Sequence, residues 1–128
     1  MSPKRETGSP QRLRAVAFGL IAERLAVLSL ILRGYRLIGR NYVAAGGEID
    51  IIASRGKTIC FIEVKARARL DAARTAITST KQKRLKRAIA HWQAHHLSHH
   101  DYDLRADAIY IAPWRWPVHD QNVFDLNF

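Results

Sequence analysis

Thiols are almost missing from this chain. Its 128 residues hold one cysteine, Cys60, so no intrachain disulfide can brace it, and a cytoplasmic setting is expected. Cys60 sits in the apolar run Ile59-Cys60-Phe61-Ile62, a place for packing rather than reactivity. An apolar run of membrane length is also lacking. Ala15 to Ala22 and Leu25 to Leu32 are apolar, but Glu23-Arg24 separates them. A span needs about 20 apolar residues, and merging the two runs would put Arg24 near mid-membrane at a cost of about 2.5–3.5 kcal/mol. Lys4, Arg5, Arg12 and Arg14 ahead of the first run imitate a signal peptide. The Glu-Arg pair that follows at once argues instead for an amphipathic helix and no membrane partner.

Acidic residues are the other scarcity: 11 Asp+Glu stand against 21 Lys+Arg, a formal net charge of +10. Such an excess favours a polyanionic partner, nucleic acid first and an anionic membrane surface second, with a basic protein lacking any such partner as the bland alternative. Hydrophobic residues make up 48% of the chain, which excludes a disordered polyelectrolyte and allows a real core.

Residues 1–10 are polar, with two prolines and a glycine, and read as a disordered tail; residues 11–128 read as a single domain without repeats. A helix is expected from Gln11 to Arg33, stopped by Gly34. Leu13, Ala17, Leu20, Arg24, Leu28 and Ile31 trace one face of it, and Phe18, Leu25 and Leu32 lie on another side. Apolar residues on more than one face imply deep burial or a partner surface. Strands are expected at Tyr35–Val43, Glu48–Ser54 and Thr58–Ala66, then a loop over 67–77, a helix from Ser79 to Leu97, a strand from Arg105 to Ala112 and a short one from Asn122 to Leu126. The order α-β-β-β-α-β predicts a mixed α/β domain with helices covering a sheet.

Strand alternation puts Glu48, Asp50 and Ile52 on one face, and Ile59, Phe61, Glu63 and Lys65 on one face of the next strand. A two-residue turn at Arg55-Gly56 would pair Ser54 with Lys57 and Asp50 with Phe61. Asp50 and Glu63 would then be diagonal neighbours about 7–8 Å apart, close enough to share one ion. A Mg²⁺ held by one or two carboxylates acts as a Lewis acid and activates its water, and a lysine on the same face can steady the charge that develops. The competing reading is a solvated ion-pair face, Glu63 with Lys65 or Arg67.

Gly46-Gly47-Glu48-Ile49-Asp50-Ile51-Ile52, followed by Phe61-Ile62-Glu63-Val64-Lys65-Ala66-Arg67, resembles the YraN-like bacterial family. That family is placed in the restriction-endonuclease-like superfamily with its D…(D/E)-x-K signature, and is similar to archaeal Holliday-junction resolvases. The resemblance spans about residues 16–112, including Gly34-Tyr35-Arg36 and the later basic helix. It implies a restriction-endonuclease-like core, a Mg²⁺ or Mn²⁺ cofactor and endonuclease activity on DNA, with branched or structured DNA among the candidate substrates. Asp50 and Glu63 would be metal ligands and Lys65 the catalytic lysine. Glu23 matches the extra acidic residue of such sites; it falls about 80° from the centre of the apolar helix face, where a local ion pair is the alternative. Glu48 is a substitute ligand or a plain exposed acid. The chain departs from the pattern at Arg69–Arg74, short of glycine, and at Ala112-Pro-Trp-Arg-Trp-Pro.

Lys81, Lys83, Arg84, Lys86 and Arg87 crowd the start of the second helix. Cations there oppose the helix dipole unless a polyanion is near, so Lys81, Lys83, Arg84 and Arg87, with Arg67, are candidate nucleic-acid contacts; a solvated face is the alternative. Lys81 matches the basic residue that the resemblance sets beside the site. His91, His95, His96, His99 and His100 read as an exposed helix end rather than a metal site. Asp107 is expected to brace the fold or a basic residue, outside the active site. Trp114 and Trp116 flank Arg115 and suit base stacking or a dimer contact. Three functions compete: a metal-dependent endonuclease, a non-catalytic nucleic-acid-binding module on a nuclease fold, and a partner-binding protein that uses the first helix and the tryptophan loop, for example as a homodimer.

Overall fold

The computed structural model describes residues 10–67, 79–96, 101–124 and 126. The expected tail lies outside them except for Pro10, which opens the first helix. The loop after Arg67 and His99–His100 also lie outside.

Helix α1 runs from Pro10 to Leu32. It ends as the sequence predicts: Gly34 takes φ +86°, and the N–H groups of Gly34 and Tyr35 donate to the carbonyls of Ile31 and Leu30, each at 3.0 Å. This is a Schellman cap. The face turned to the sheet is not the Leu20–Arg24–Leu28–Ile31 stripe. Ala22, Ala26, Ser29 and Leu30 are buried, while Leu20, Ile21, Leu28, Ile31 and Leu32 are exposed. Small side chains let the helix lie close on the sheet, and the Ser29 hydroxyl is satisfied by donating to the Ala26 carbonyl at 2.8 Å.

Strands β1 (Arg36–Ala44), β2 (Gly47–Arg55), β3 (Thr58–Ala66), β4 (Asp103–Ile111) and β5 (Val118–Phe124) form one sheet in sequential order. Only β3 and β4 are parallel. Helix α2 (Ser79–His95) makes their crossover, as a parallel pair requires. Strand β5 begins four residues before the expected Asn122, because Val118 and His119 pair with Tyr110 and Ile109.

Two cores flank the sheet. Ile51, Ala53, Cys60, Ile62, Ile109 and Ile111 pack under α1. Ile49, Ile52, Ile59, Phe61 and Ala106 pack under Leu85, Ala88, Ile89 and Trp92 of α2. The α2 backbone comes down at Gly47, where any Cβ would collide with the Arg84 carbonyl.

Candidate metal and phosphate site

The β2–β3 register differs from the expected one. Arg55 pairs with Thr58 and Ile51 with Ile62, so the turn is Gly56-Lys57 rather than Arg55-Gly56. Gly56 supplies the positive φ, +61°, that a two-residue hairpin needs at its first central position. Asp50 and Glu63 still come to line one cavity. The register moves Asp50 past the last pair, next to Glu63 rather than opposite Phe61.

Past Ile51 and Ile62 the strands part. β2 stays with β1 as far as the Ala44–Gly47 pair, and β3 stays with β4 as far as Ala66–Ile111. Asp50 sits in this fork. Strict alternation would put Ile49 on the side of Ile51, yet it packs with Ile52 under α2. The facing therefore switches at Asp50, across from Asn41, whose φ is +53°. The Asp50 Oδ2 accepts the Val64 N–H at 2.8 Å, filling the place of the strand that has left.

Two cavities meet at Asp50 and Val64. One, of about 280 Å³, is lined by Glu48, Asp50, Glu63, Lys65, Lys81 and Arg84. The other, of about 490 Å³ on the α1 side, is lined by Phe18, Ala22, Glu23, Ala66 and Arg67 among others. The expected residues Asp50, Glu63, Lys65, Lys81 and Arg84 thus come together, with Glu48 beside them. Glu23 and Arg67 share the adjoining cavity. Lys83 and Arg87 are exposed and line neither.

Burial, then the nearby Glu63 carboxylate, push Asp50 up to about 7, although the Val64 N–H and Lys65 pull the other way. Burial alone would lower Lys65. Glu63, which it contacts at 2.8 Å, together with Lys81 and Asp50, outweighs burial and holds it above the ordinary value. The adjacent Lys65, then burial, lower Lys81. Packing two lysines against three acids is unfavourable for each sign by itself, and a bound cation and anion would relieve both.

The Glu23 carboxylate is already occupied. Glu23 Oε1 accepts from Arg40 at 2.6 Å and Asn41 Nδ2 at 3.1 Å, partners that nothing in the sequence singled out. Among the described residues no three Asp, Glu, His or Cys side chains converge to cage an ion. The acids do fit Mg²⁺, a hard cation that keeps several waters and needs only one or two carboxylates plus a phosphate.

Asp107 braces the opposite face of the sheet, as expected. It is fully buried and accepts from Arg105 Nε at 2.8 Å, His119 Nε2 at 2.8 Å and the Asn122 N–H at 2.9 Å. Burial would raise it, but these donors win and hold it below the usual carboxylate range. Arg105 also donates to Tyr35 and Cys60. Cys60 is buried and pushed up to about 12, a packed thiol. His91 Nδ1 meets the Tyr42 hydroxyl at 2.7 Å, and His91 and His95 stack at 4.1 Å.

The model of the family described as "Uncharacterised protein family UPF0102" matches residues 22–111, which contain β1–β4, α2 and every charged residue of the two cavities. A "UPF0102 protein" of Methylorubrum populi is 53% identical over 108 residues, 84% of this chain and 86% of its own. One from Methylorubrum extorquens is 50% identical over 126 residues, 98% of each chain. One from Rhodopseudomonas palustris is 41% identical over 126 residues, 98% of this chain and 93% of its own. A family model covering well over half of the chain, with relatives matched nearly end to end, leaves one conclusion: the chain belongs to the UPF0102 family.

Proposed function

We propose that this protein is a Mg²⁺- or Mn²⁺-dependent endonuclease acting on DNA, with branched or structured DNA as the favoured class, and that its fold belongs to the restriction-endonuclease-like superfamily. The observation that carries this reading is the two-signed cavity. Glu48, Asp50 and Glu63 line one cavity of about 280 Å³ together with Lys65, Lys81 and Arg84, acids to hold a cation beside bases to hold a phosphate. The order α-β-β-β-α-β-β and the net charge of +10 support the same reading.

Asp50 and Glu63 would hold the ion, with Glu48 close by; Glu23 would join only by leaving Arg40. When bound, the ion supplies Lewis-acid stabilisation and a more acidic water. The Val64 N–H fixes the Asp50 carboxylate. Lys65, kept charged by its neighbours, donates to a phosphate oxygen or holds the attacking water as Glu63 turns away. Lys81 and Arg84 bind the phosphate from the start of α2, and Arg67 meets the flanking backbone. A cytoplasmic location fits DNA as substrate.

Cleavage of single-stranded, duplex, flapped and four-way-junction DNA with Mg²⁺ or Mn²⁺ tests the reading. Activity should fall on the order of 10²–10³-fold in Lys65→Ala and be lost in Asp50→Ala and Glu63→Ala. Cleavage surviving in all three overturns it. The absence of three converging acids among the described residues favours a second reading, a non-catalytic DNA-binding module. That reading predicts salt-sensitive binding unaffected by these substitutions.

A further inference from the structure

The sheet ends in a loop that packing does not explain. Trp114 is 102% exposed and Trp116 58%. Trp114 also takes φ +64°, a conformation that costs a bulky L-residue about 1–2 kcal/mol. Pro113 and the buried Pro117 bracket the pair, and Arg115 lies between them, exposed. The turn that joins β4 to β5 accounts for the positive φ, but neither the turn nor the core calls for an exposed indole there.

Its position gives a reason. Strands β3 and β4 are parallel, with Lys65 beside Tyr110 and Ala66 beside Ile111. The Arg67 N–H continues that ladder to the Ile111 carbonyl at 3.0 Å. The loop therefore leaves the sheet at the same end as Glu63 and Lys65, and Trp114 is at most about 14 Å of chain from Tyr110. Arg67, hydrogen-bonded to Ile111 at this end of the sheet, also lines the cavity shared with Asp50.

We propose that Trp114 and Trp116 form a stacking platform for unpaired nucleobases, with Arg115 and Arg67 holding the adjoining phosphates, so that DNA carrying a single-stranded segment beside the cleavage point is preferred over continuous duplex. Flat π faces next to guanidinium groups suit this ligand: stacking tolerates any base, and the cations meet the backbone. An exposed tryptophan can also anchor a protein contact. However, no acidic residue occurs between Ala112 and Pro117, and a second copy of a +10 chain brings like charge. The preference for single strands deepens the nuclease reading, but the binding itself needs neither metal nor turnover.

The test uses the full chain in EDTA at moderate salt. Tryptophan fluorescence is titrated with oligothymidylate and with a blunt duplex of equal length. Trp92 is only 2% exposed and serves as the insensitive background. Oligothymidylate should quench the exposed emission and the duplex much less. Trp114→Ala with Trp116→Ala should weaken single-strand binding roughly 10-fold or more and leave duplex binding within about twofold. Trp114→Phe with Trp116→Phe should restore most of the single-strand affinity. The platform is overturned if the alanine pair leaves single-strand affinity unchanged, if both DNA forms weaken equally, or if quenching follows protein concentration and not oligonucleotide. Quenching without any cleavage by the wild type would sink the nuclease reading and leave the platform standing; cleavage without quenching would do the reverse.

Discussion

Asp50 carries a carboxylate that the fold uses in two ways. One oxygen takes the Val64 N–H in the fork between β2 and β3, while the charge is crowded by burial and by Glu63. The folded state holds this proton up to a pH of about 7, but the unfolded chain releases it near 4. Between those values the folded form binds more protons, so metal-free stability falls as pH rises and levels off above 7. Asp50→Asn keeps an acceptor for Val64 and removes the charge. At pH 8 without metal it should melt several degrees higher, from about 1–3 kcal/mol of relieved strain, and should lose Mg²⁺-induced stabilisation. Equal melting temperatures for both proteins at pH 5 and pH 8 would show that Asp50 ionises freely. Asp107 presents the opposite sign. Its carboxylate is held low by Arg105 and His119, so its contribution is present at neutral pH and is lost in acid, below about 4. Asp107→Ala should cost about 3–5 kcal/mol in denaturant unfolding by stranding Arg105. The protein that still folds should keep its affinity for metal, because Asp107 lies on the other face of the sheet.

Helix α2 sets how closely Lys81 and Arg84 approach the acids. Its height is fixed at Gly47, where the Arg84 backbone rests on β2, and by Arg84 Nε donating to the Gly46 carbonyl at 3.3 Å. Gly47→Ala should lift the helix, cost about 1–3 kcal/mol by overpacking and weaken phosphate binding. A crystal structure or a denaturation curve that matches wild type would refute that seating. The Glu-Val-Lys strand and its alternation were legible because the period of two is written in Ile62, Glu63, Val64 and Lys65. The fork was not. Nothing local in Glu48-Ile49-Asp50 reveals that β2 leaves β3 there, since that depends on β1 and β4 each holding a different partner. Helix α1 misled for a related reason. Hydrophobicity pointed to Leu20, Leu28 and Ile31, but close packing on the sheet selects small residues, Ala22 and Ala26.

Across the whole molecule, that outward α1 face becomes a surface. Leu20, Ile21, Leu25, Leu28, Ile31 and Leu32 are each between 36% and 65% exposed. Together they offer on the order of 600 Å² of apolar area, near the roughly 800 Å² per partner of a standard interface. We propose, separately from the activity, that two copies pair through this apolar face. Sedimentation should show it, and Leu28→Glu with Ile31→Glu should yield a monomer; a wild-type monomer at tens of micromolar would refute it. The basic charge makes a separate forecast. Removing Lys83 and Arg87, which line neither cavity, should weaken DNA binding uniformly across sequences and reduce the salt slope by about two. A loss confined to one sequence would contradict a backbone role.

The sequence alone determined the element order, the Gly34 stop, the sharing of one sheet face by Glu63 and Lys65, and the core role of Cys60. Each of these depends on periodicity, capping or burial within a short stretch of chain. Only the tertiary structure decided that the turn is Gly56-Lys57, that Asp50 rests in the fork on the Val64 N–H, that Glu23 is tied to Arg40 and Asn41, and that Lys83 and Arg87 stay away from both cavities. Those outcomes depend on register and on helix seating, which arise from contacts between residues far apart in the chain. For the three residues at the centre of the site, the sequence supplied the chemistry, and the separation of β2 from β3 brought it to one place.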